Sequence, residues 1–393
     1  MDHSCKLPWT WLVVNLDQNV WRFCCKTDWQ MNFNETYNEH NKTLLKVRQE
    51  FLDGGKPKEC RSCWREESLN GASYRTTITG ATKKELLPTY KGLEYIDLIY
   101  GSLCNLRCAS CGPFSSTQWS SLLKQQDTLP FLWLTPLENT QPNVEAWKRI
   151  PQIIEENILS LDHLNLYGGE PSIDPNFIQL IDQLCDMDIS ARKNNPIALR
   201  IYTNGVWPDN DKLSEKFLTN LYKAKAKGWK VDLKFSIDAI GENAEYIRHP
   251  TKWSNLDKHL DMMVAEGFTD QIHITTSLLN LPVQHEIIEY FSEKSYRDKV
   301  RPIPNLANRP EIIAVANLGS KVAEMLKPWN NVPDLPLWKH YKRWITGIGR
   351  QQANGITDSQ RLKTFIEYTD WYAKVNNTTI PADLKKFYNS YLE

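Results

Sequence analysis

The sequence predicts an α/β protein. Its centre reads as a β/α barrel of the TIM type, partial or complete, with a small cysteine-bearing module before it (residues 1–90) and a helical extension after it (residues 320–393). Three observations predict this. From about residue 93, apolar strand-like segments alternate with helical ones, the pattern of a parallel sheet assembled from βα units. Residues able to do chemistry fall directly after those segments, and barrels place their sites at the C-terminal ends of strands. Eight of the nine cysteines lie in the first 111 residues, so that stretch is built differently from the rest.

The elements follow in chain order. Residues 11–23 read as a hairpin: Trp-Leu-Val-Val-Asn-Leu, a turn at Asp17-Gln18-Asn19, then Val-Trp-Arg-Phe, with Cys24-Cys25 delivered at its end. A polar, Asn-rich stretch precedes a helix over 44–52 that stops at Gly54-Gly55. Cys60-Arg-Ser-Cys63 opens another short helix. In the central region (91–319) strands are expected at 93–99, 163–167, 198–202, 231–237, 271–277 and 300–303, and helices at 177–191, 214–227 and 253–266. The extension is aromatic, with Trp329, Trp338, Trp344 and Trp371, and is expected to pack against the barrel.

Composition narrows the function classes. Lys+Arg and Asp+Glu balance at 47 each, so no overall charge draws the chain to nucleic acid or an anionic membrane. The run Lys223–Lys230 reads as a solvated helix end, where cations are favourable. No apolar run is long enough to span a bilayer, and the N-terminus lacks the basic and apolar regions of a signal peptide. The expectation is a soluble, cytoplasmic protein. Thiols stay reduced there, so clustered cysteines point to metal or cluster ligation rather than disulfides.

The sharpest feature is Cys104-Asn-Leu-Arg-Cys108-Ala-Ser-Cys111, placed after the first central strand. Short loop spacings let one peptide hold several corners of an iron–sulfur cluster. Three thiolates on a four-iron cluster leave one iron open, and an open position separates a catalytic metal site from a sealed structural one. A three-cysteine zinc site with a distant fourth ligand and a set of buried, unliganded thiols are the competing readings. Gly168-Gly169-Glu170-Pro171 follows the second strand, Tyr202-Thr203-Asn204-Gly205 the third, and Ser236-Ile-Asp238 the fourth. Alternation along the strand puts Ser236 and Asp238 on one face. Two glycines permit close backbone approach, and Glu170 can accept from an amine.

Cys-x3-Cys-x2-Cys after one strand and Gly-Gly-Glu after the next resemble radical S-adenosylmethionine (radical SAM) enzymes over about residues 93–310. The resemblance implies a partial (β/α)6 barrel and a [4Fe–4S] cluster on Cys104, Cys108 and Cys111. It implies S-adenosylmethionine chelated at the open iron and cleaved reductively to a 5′-deoxyadenosyl radical that abstracts a substrate hydrogen. Cofactor-binding roles then fall on Gly168, Gly169, Glu170, Asn204, Ser236, Asp238 and Arg248, the last as partner of the methionine carboxylate. Thr276, Ser277 and Asn280 are weaker candidates, and His249 reads as structural rather than as a base. An electron donor such as flavodoxin or ferredoxin is implied. Ser110 stands where the family usually has an aromatic residue, so adenine packing is expected from Tyr100 or Phe114.

The hairpin and its Cys24-Cys25 also resemble the start of the auxiliary-cluster modules called SPASM and Twitch, here preceding the barrel. Cys24, Cys25, Cys60 and Cys63 could hold a second cluster or a structural zinc, with Cys24 or Cys25 plus Cys60 and Cys63 preferred and Cys5 in reserve. The module resemblance implies a peptide or protein substrate. A small-molecule or nucleotide substrate, or a noncatalytic iron–sulfur or zinc scaffold or electron carrier, stays open.

Overall fold

A computed structural model describes residues 5–37, 40–78, 92–135 and 144–392, with the backbone alone for 35, 69, 70 and 78. The expected boundary at residues 90–91 and the first four residues lie outside these. Among the described residues nine strands form one sheet: β1 (Trp11–Asn15), β2 (Val20–Arg22), β3 (Met31–Asn32), β4 (Tyr95–Ile99), β5 (His163–Tyr167), β6 (Ala198–Thr203), β7 (Lys230–Ser236), β8 (Gln271–Thr276) and β9 (Arg301–Leu306). Their order is β3-β2-β1-β4-β5-β6-β7-β8-β9. β1 and β4 to β9 run parallel, while β2 is antiparallel to both its neighbours.

The six strands expected in the central region are β4 to β9, each within three residues of its expected ends. The sheet order ends at β3 and β9, and no pairing among the described residues joins those two edges. It is an open sheet of mostly parallel strands. The hairpin β1–β2 of the cysteine-bearing stretch belongs to it, because Trp11 to Asn15 pair in register with Tyr95 to Ile99. Asn19 takes the left-handed conformation that its turn requires.

Period-2 alternation explains the two faces. Ile96 and Leu98, Leu164 and Leu166, Leu199 and Ile201, Leu233 and Phe235, and Ile272 and Ile274 are all buried. They join the buried side chains of the helices in one continuous core. The other face is polar. Register aligns Asp97, Asn165, Arg200 and Asp232 in one row across four strands. Asn165 Nδ2 donates to Asp97 Oδ1 at 2.6 Å, and Lys234 pairs with Asp232.

The intervening helices start where short polar caps allow. Asp174 accepts from the backbone N–H groups of Asn176 and Phe177 and opens the helix Pro175–Asp186, with Pro175 in the first turn. That helix ends at Asp186, before the expected residue 191, because Met187 turns extended and buries Ile189 beyond it. Asp211 caps the helix Lys212–Lys227, which Gly228 terminates at φ 103°. The lysines of its last turns are solvated or paired, as Lys223 with Asp182 and Asp186. The helices Lys339–Gln351, Ser359–Val375 and Ala382–Ser390 follow in the extension, with Trp329 and Trp338 fully buried. Among the described residues no helix is long and apolar enough to cross a membrane.

Candidate functional site

The loop after β4 carries Cys104, Cys108 and Cys111, and its backbone is held almost atom by atom. The carbonyl of Leu106 accepts from Ser116 Oγ (2.6 Å), that of Arg107 from Tyr372 Oη (2.6 Å), that of Cys108 from Trp119 Nε1 (3.0 Å) and that of Ala109 from Tyr368 Oη (2.6 Å). The N–H groups of Arg107 and Ala109 donate to the carbonyls of His249 and Ile247 at 2.6 and 2.7 Å. Arg107 Nε reaches Asn376 Oδ1 at 2.6 Å. Buried carbonyls need partners, and here side chains supply them, Ser116 and Trp119 from just beyond the loop and Tyr368 and Tyr372 from the extension.

Tyr368 and Tyr372 are the residues that sequence reasoning missed. Both sit on the helix Ser359–Val375 and are completely buried. The extension was expected only to pack against the barrel; its helix also fixes the cysteine loop. A signal was present, since two tyrosines four residues apart share one helix face.

Gly168 and Gly169 both stand where protein backbone leaves no room for a side chain. A Cβ at Gly169 would lie 2.0 Å from the Leu103 carbonyl oxygen, and one at Gly168 would lie 2.7 Å from that of Gly101. The backbone after β5 clasps the segment leading to Cys104: Gly169 N–H donates to Gly101 O (2.8 Å) and Glu170 N–H to Leu103 O (2.7 Å). Glu170 is fully buried and accepts from Thr203 Oγ1, Asn204 N–H and Ser172 N–H. Burial pushes its carboxyl up to about 7 against those hydrogen bonds. Its oxygens are thus engaged with the end of β6.

Asn204 joins that strand end to the cysteines. Its Nδ2 donates to Asn105 Oδ1 at 2.8 Å and approaches Cys104 Sγ at 3.8 Å, while Asn105 Nδ2 donates to Val206 O at 2.7 Å. Leu106 N–H also donates to Cys104 Sγ. Such donors favour a thiolate.

At the end of β7, Asp238 and Arg248 form a buried ion pair, Nη1 to Oδ2 at 2.7 Å. Asp238 Oδ1 also accepts from Thr275 N–H, and Asn280 Nδ2 donates to the Asp238 carbonyl. Ser236, half-buried, lies two residues earlier on the strand. Thr276 pairs with Gln284, and Ser277 with Asn280, so these three serve the wall behind Asp238. Arg248 faces the thiols: burial would lower its pKa, but the charges of Cys108, Asp238 and Cys111 more than offset this. Its Nε is buried without a hydrogen-bond partner.

The three thiols titrate differently. A hydrogen bond from Cys111 holds Cys108 down to about 7 despite burial, with help from Arg248. Donating that bond, together with burial, pushes Cys111 well above its ordinary value. Burial and the charge of Cys108 push Cys104 up to about 12. His249 is lowered to about 4 by burial and by Arg107 and Lys252, so it stays neutral near pH 7 and its contribution is the carbonyl that holds Arg107. Tyr100 is buried against Phe177 and donates to Gly169 O, so it faces the core rather than a pocket. Phe114 is exposed beside Gly112.

The N-terminal cysteines divide into two groups. Cys5, Cys24, Cys60 and Cys63 line one cavity, together with Phe23, Phe51 and Arg75. Cys25 is exposed; its sulfur accepts from the Cys24 thiol, and the charges of Asp97 and Tyr74 are near. Among the described residues, no group of three or more His, Cys, Asp or Glu side chains is arranged to hold a single metal ion. A cluster makes a different demand, since each thiolate takes its own iron corner.

No family model and no curated protein matches the chain. Among solved structures, it is similar to Streptococcus suis SuiB bound to the precursor peptide SuiA at 13% identity and TM-score 0.35, over 90% of this chain and 57% of that one. SuiB bound to S-adenosylmethionine aligns at 12% identity and TM-score 0.36, over 77% and 52%. TYW1 with a lysine–pyruvate adduct aligns at 13% identity and TM-score 0.33, over 76% and 91%. The chain spans about half the length of the SuiB structures it matches. TM-scores of this size are too low to assign a shared fold.

Proposed function

We propose that this chain is a radical SAM enzyme. The observation that carries the reading is the loop Cys104–Cys111. Three soft thiolates at the C-terminal edge of a parallel strand sit under a buried guanidinium with an unpartnered N–H, within a backbone locked by four side-chain donors. Soft thiolates suit iron, and the orphaned Arg248 Nε suits an anionic group beside them. Cys104, Cys108 and Cys111 would hold a [4Fe–4S] cluster, and Arg248, Asn204, Ser236 and Asp238 would face S-adenosylmethionine. When bound, the reduced cluster would supply one electron to the sulfonium, breaking its C5′–S bond to give methionine and a 5′-deoxyadenosyl radical for hydrogen abstraction.

The chain's own residues do the rest. Tyr368, Tyr372, Trp119 and Ser116 fix the loop so that the thiols need no reorganisation. Asp238 orients Arg248 through their ion pair. Gly168 and Gly169 permit the clasp that ties β5 to the loop, and Glu170 ties that clasp to β6. Gly168, Gly169 and Glu170 act in this reading through backbone position rather than through a side chain turned to ligand.

A second cluster or zinc in the N-terminal stretch, an electron donor of the flavodoxin or ferredoxin kind, a cytoplasmic setting and a peptide or protein substrate complete the proposal. The peptide is suggested by the cysteine-bearing stretch, which resembles auxiliary-cluster modules. The test is anaerobic reconstitution with iron and sulfide followed by an assay for reductive cleavage of S-adenosylmethionine. The expected product is 5′-deoxyadenosine. A chain loaded with about four irons per loop that makes none, with or without added peptides, would overturn the enzyme reading in favour of a scaffold or electron carrier.

A further inference from the structure

Nine cysteines are present, and the loop uses three. Cys185 is buried against the Asn220 carbonyl. Five remain, Cys5, Cys24, Cys25, Cys60 and Cys63, for a site that four would close. The fold divides them. Cys5 enters just before the short helix Leu7–Thr10, Cys24 leaves β2, and Cys60 and Cys63 lie at the start of the helix Arg61–Asn70. These four line a single partly open cavity of ≈ 20 Å³, walled by Leu7, Pro8, Phe23 and Phe51. Cys25, the immediate neighbour of Cys24, is exposed and does not line it, although its sulfur accepts a hydrogen bond from the Cys24 thiol.

A second observation concerns the sulfurs themselves. The Lys26 N–H already donates to Cys24 Sγ at 3.4 Å. N–H donors stabilise thiolates, and they tune iron–sulfur centres. Four thiolates around iron or zinc carry net negative charge, and the cations of Arg75 and Lys26 line the same space. The start of a ten-residue helix at Cys60 and Cys63 adds its positive end. Soft thiolates suit iron corners as they do zinc, and the parallel zinc arm of the experiment separates the two.

We propose that Cys5, Cys24, Cys60 and Cys63 are the complete ligand set of a second, four-thiolate iron–sulfur cluster, and that Cys25 lies outside it. Cys5 thereby moves from reserve to ligand. The inference deepens the N-terminal part of the proposed function, and it can be tested apart from the first site.

The experiment uses the full chain with Cys104, Cys108 and Cys111 all replaced by Ala, reconstituted anaerobically with iron and sulfide and, in a parallel arm, with zinc. The readouts are iron, sulfide and zinc per chain, visible absorption and electron paramagnetic resonance. About four irons and four sulfides are expected, falling at least fivefold on adding Cys5→Ala and unchanged on adding Cys25→Ala. Should Cys5→Ala impair folding, the otherwise wild-type loaded chain gives the same answer. A small alkylating agent followed by peptide mass spectrometry should label Cys25, and label Cys5, Cys24, Cys60 and Cys63 only after the metal is stripped. Retention of the cluster by Cys5→Ala, its loss with Cys25→Ala, protection of Cys25 by the metal, or binding of zinc without iron would each overturn the proposal. None of these results touches the loop site, which the triple variant lacks.

Discussion

Around Cys104, Cys108 and Cys111 the protein grips the backbone as well as the Cys104 sulfur; around Cys5, Cys24, Cys60 and Cys63 it offers a cavity wall and a donor to the Cys24 sulfur. In the loop, side chains from residues 116, 119, 368 and 372 take the carbonyls between the cysteines. In the N-terminal cavity, the Lys26 N–H donates straight to the Cys24 thiol. The loop also has a charged roof, the buried Asp238–Arg248 pair, whereas Arg75 at the cavity is satisfied by Glu67. The contrast suits two tasks. A site that must leave one corner for a second molecule needs its frame fixed from outside, while a closed site is completed by its own ligands.

Four outcomes break or sharpen this contrast. The largest concerns the cysteines. Replacing Cys104, Cys108 and Cys111 with Ala should abolish 5′-deoxyadenosine formation, whereas Cys60→Ala with Cys63→Ala should leave measurable abortive cleavage. Equal loss in both, by product assay, would mean that the two regions are one functional unit.

Next is the roof of the loop. Arg248→Gln strips a buried carboxylate of its partner, which should cost about 3–5 kcal/mol in a urea melt. Asp238→Asn added to it should recover part of that loss. A melt unmoved by Arg248→Gln would remove the ion pair from the account.

Between the two regions lies Asp97 on β4, beside β1 and electrostatically close to Cys25. Burial raises its carboxyl to about 6, and the Asn165 hydrogen bond works against that rise. For a buried acid raised in the folded state, the protonated form is the favoured one. Its stabilising contribution is therefore complete below about pH 4 and is lost as pH rises to about 6. The loss is at most about 3 kcal/mol at 1.36 kcal/mol per pH unit. Urea midpoints measured across that window should fall in the wild type and fall less in Asp97→Asn.

The smallest effects belong to the loop clamps. Tyr368→Phe and Tyr372→Phe each leave a buried carbonyl short of a donor, a loss of about 1–2 kcal/mol. The same variants should lower iron retention in the loop without changing that of a chain carrying only the N-terminal cysteines. A melt and an iron assay on the pair read both.

How much of this was legible in sequence follows from chain distance. Cys104, Cys108 and Cys111 lie within eight residues, so spacing alone marked them. The strands were legible because their apolar positions repeat every second residue. Gly168 and Gly169 were legible as positions without room for a side chain, but not for their cause: the approaching group is the backbone of Gly101 and Leu103, set by strand pairing. The row Asp97, Asn165, Arg200, Asp232 was invisible, since it exists only once four strands are in register. The grouping of Cys5 with Cys60 and Cys63 needed the fold for the same reason.

The tyrosine clamps also impose an order in time. Tyr368 and Tyr372 reach back 259 and 265 residues to the loop they hold. A ribosome adding roughly 5–20 residues per second needs on the order of ten seconds or more to make that span. Throughout it, the loop carbonyls of Arg107 and Ala109 lack their tyrosine partners. The loop therefore acquires its final shape only as the chain's last helices arrive, and iron delivered during synthesis would meet three thiols on an unfinished frame.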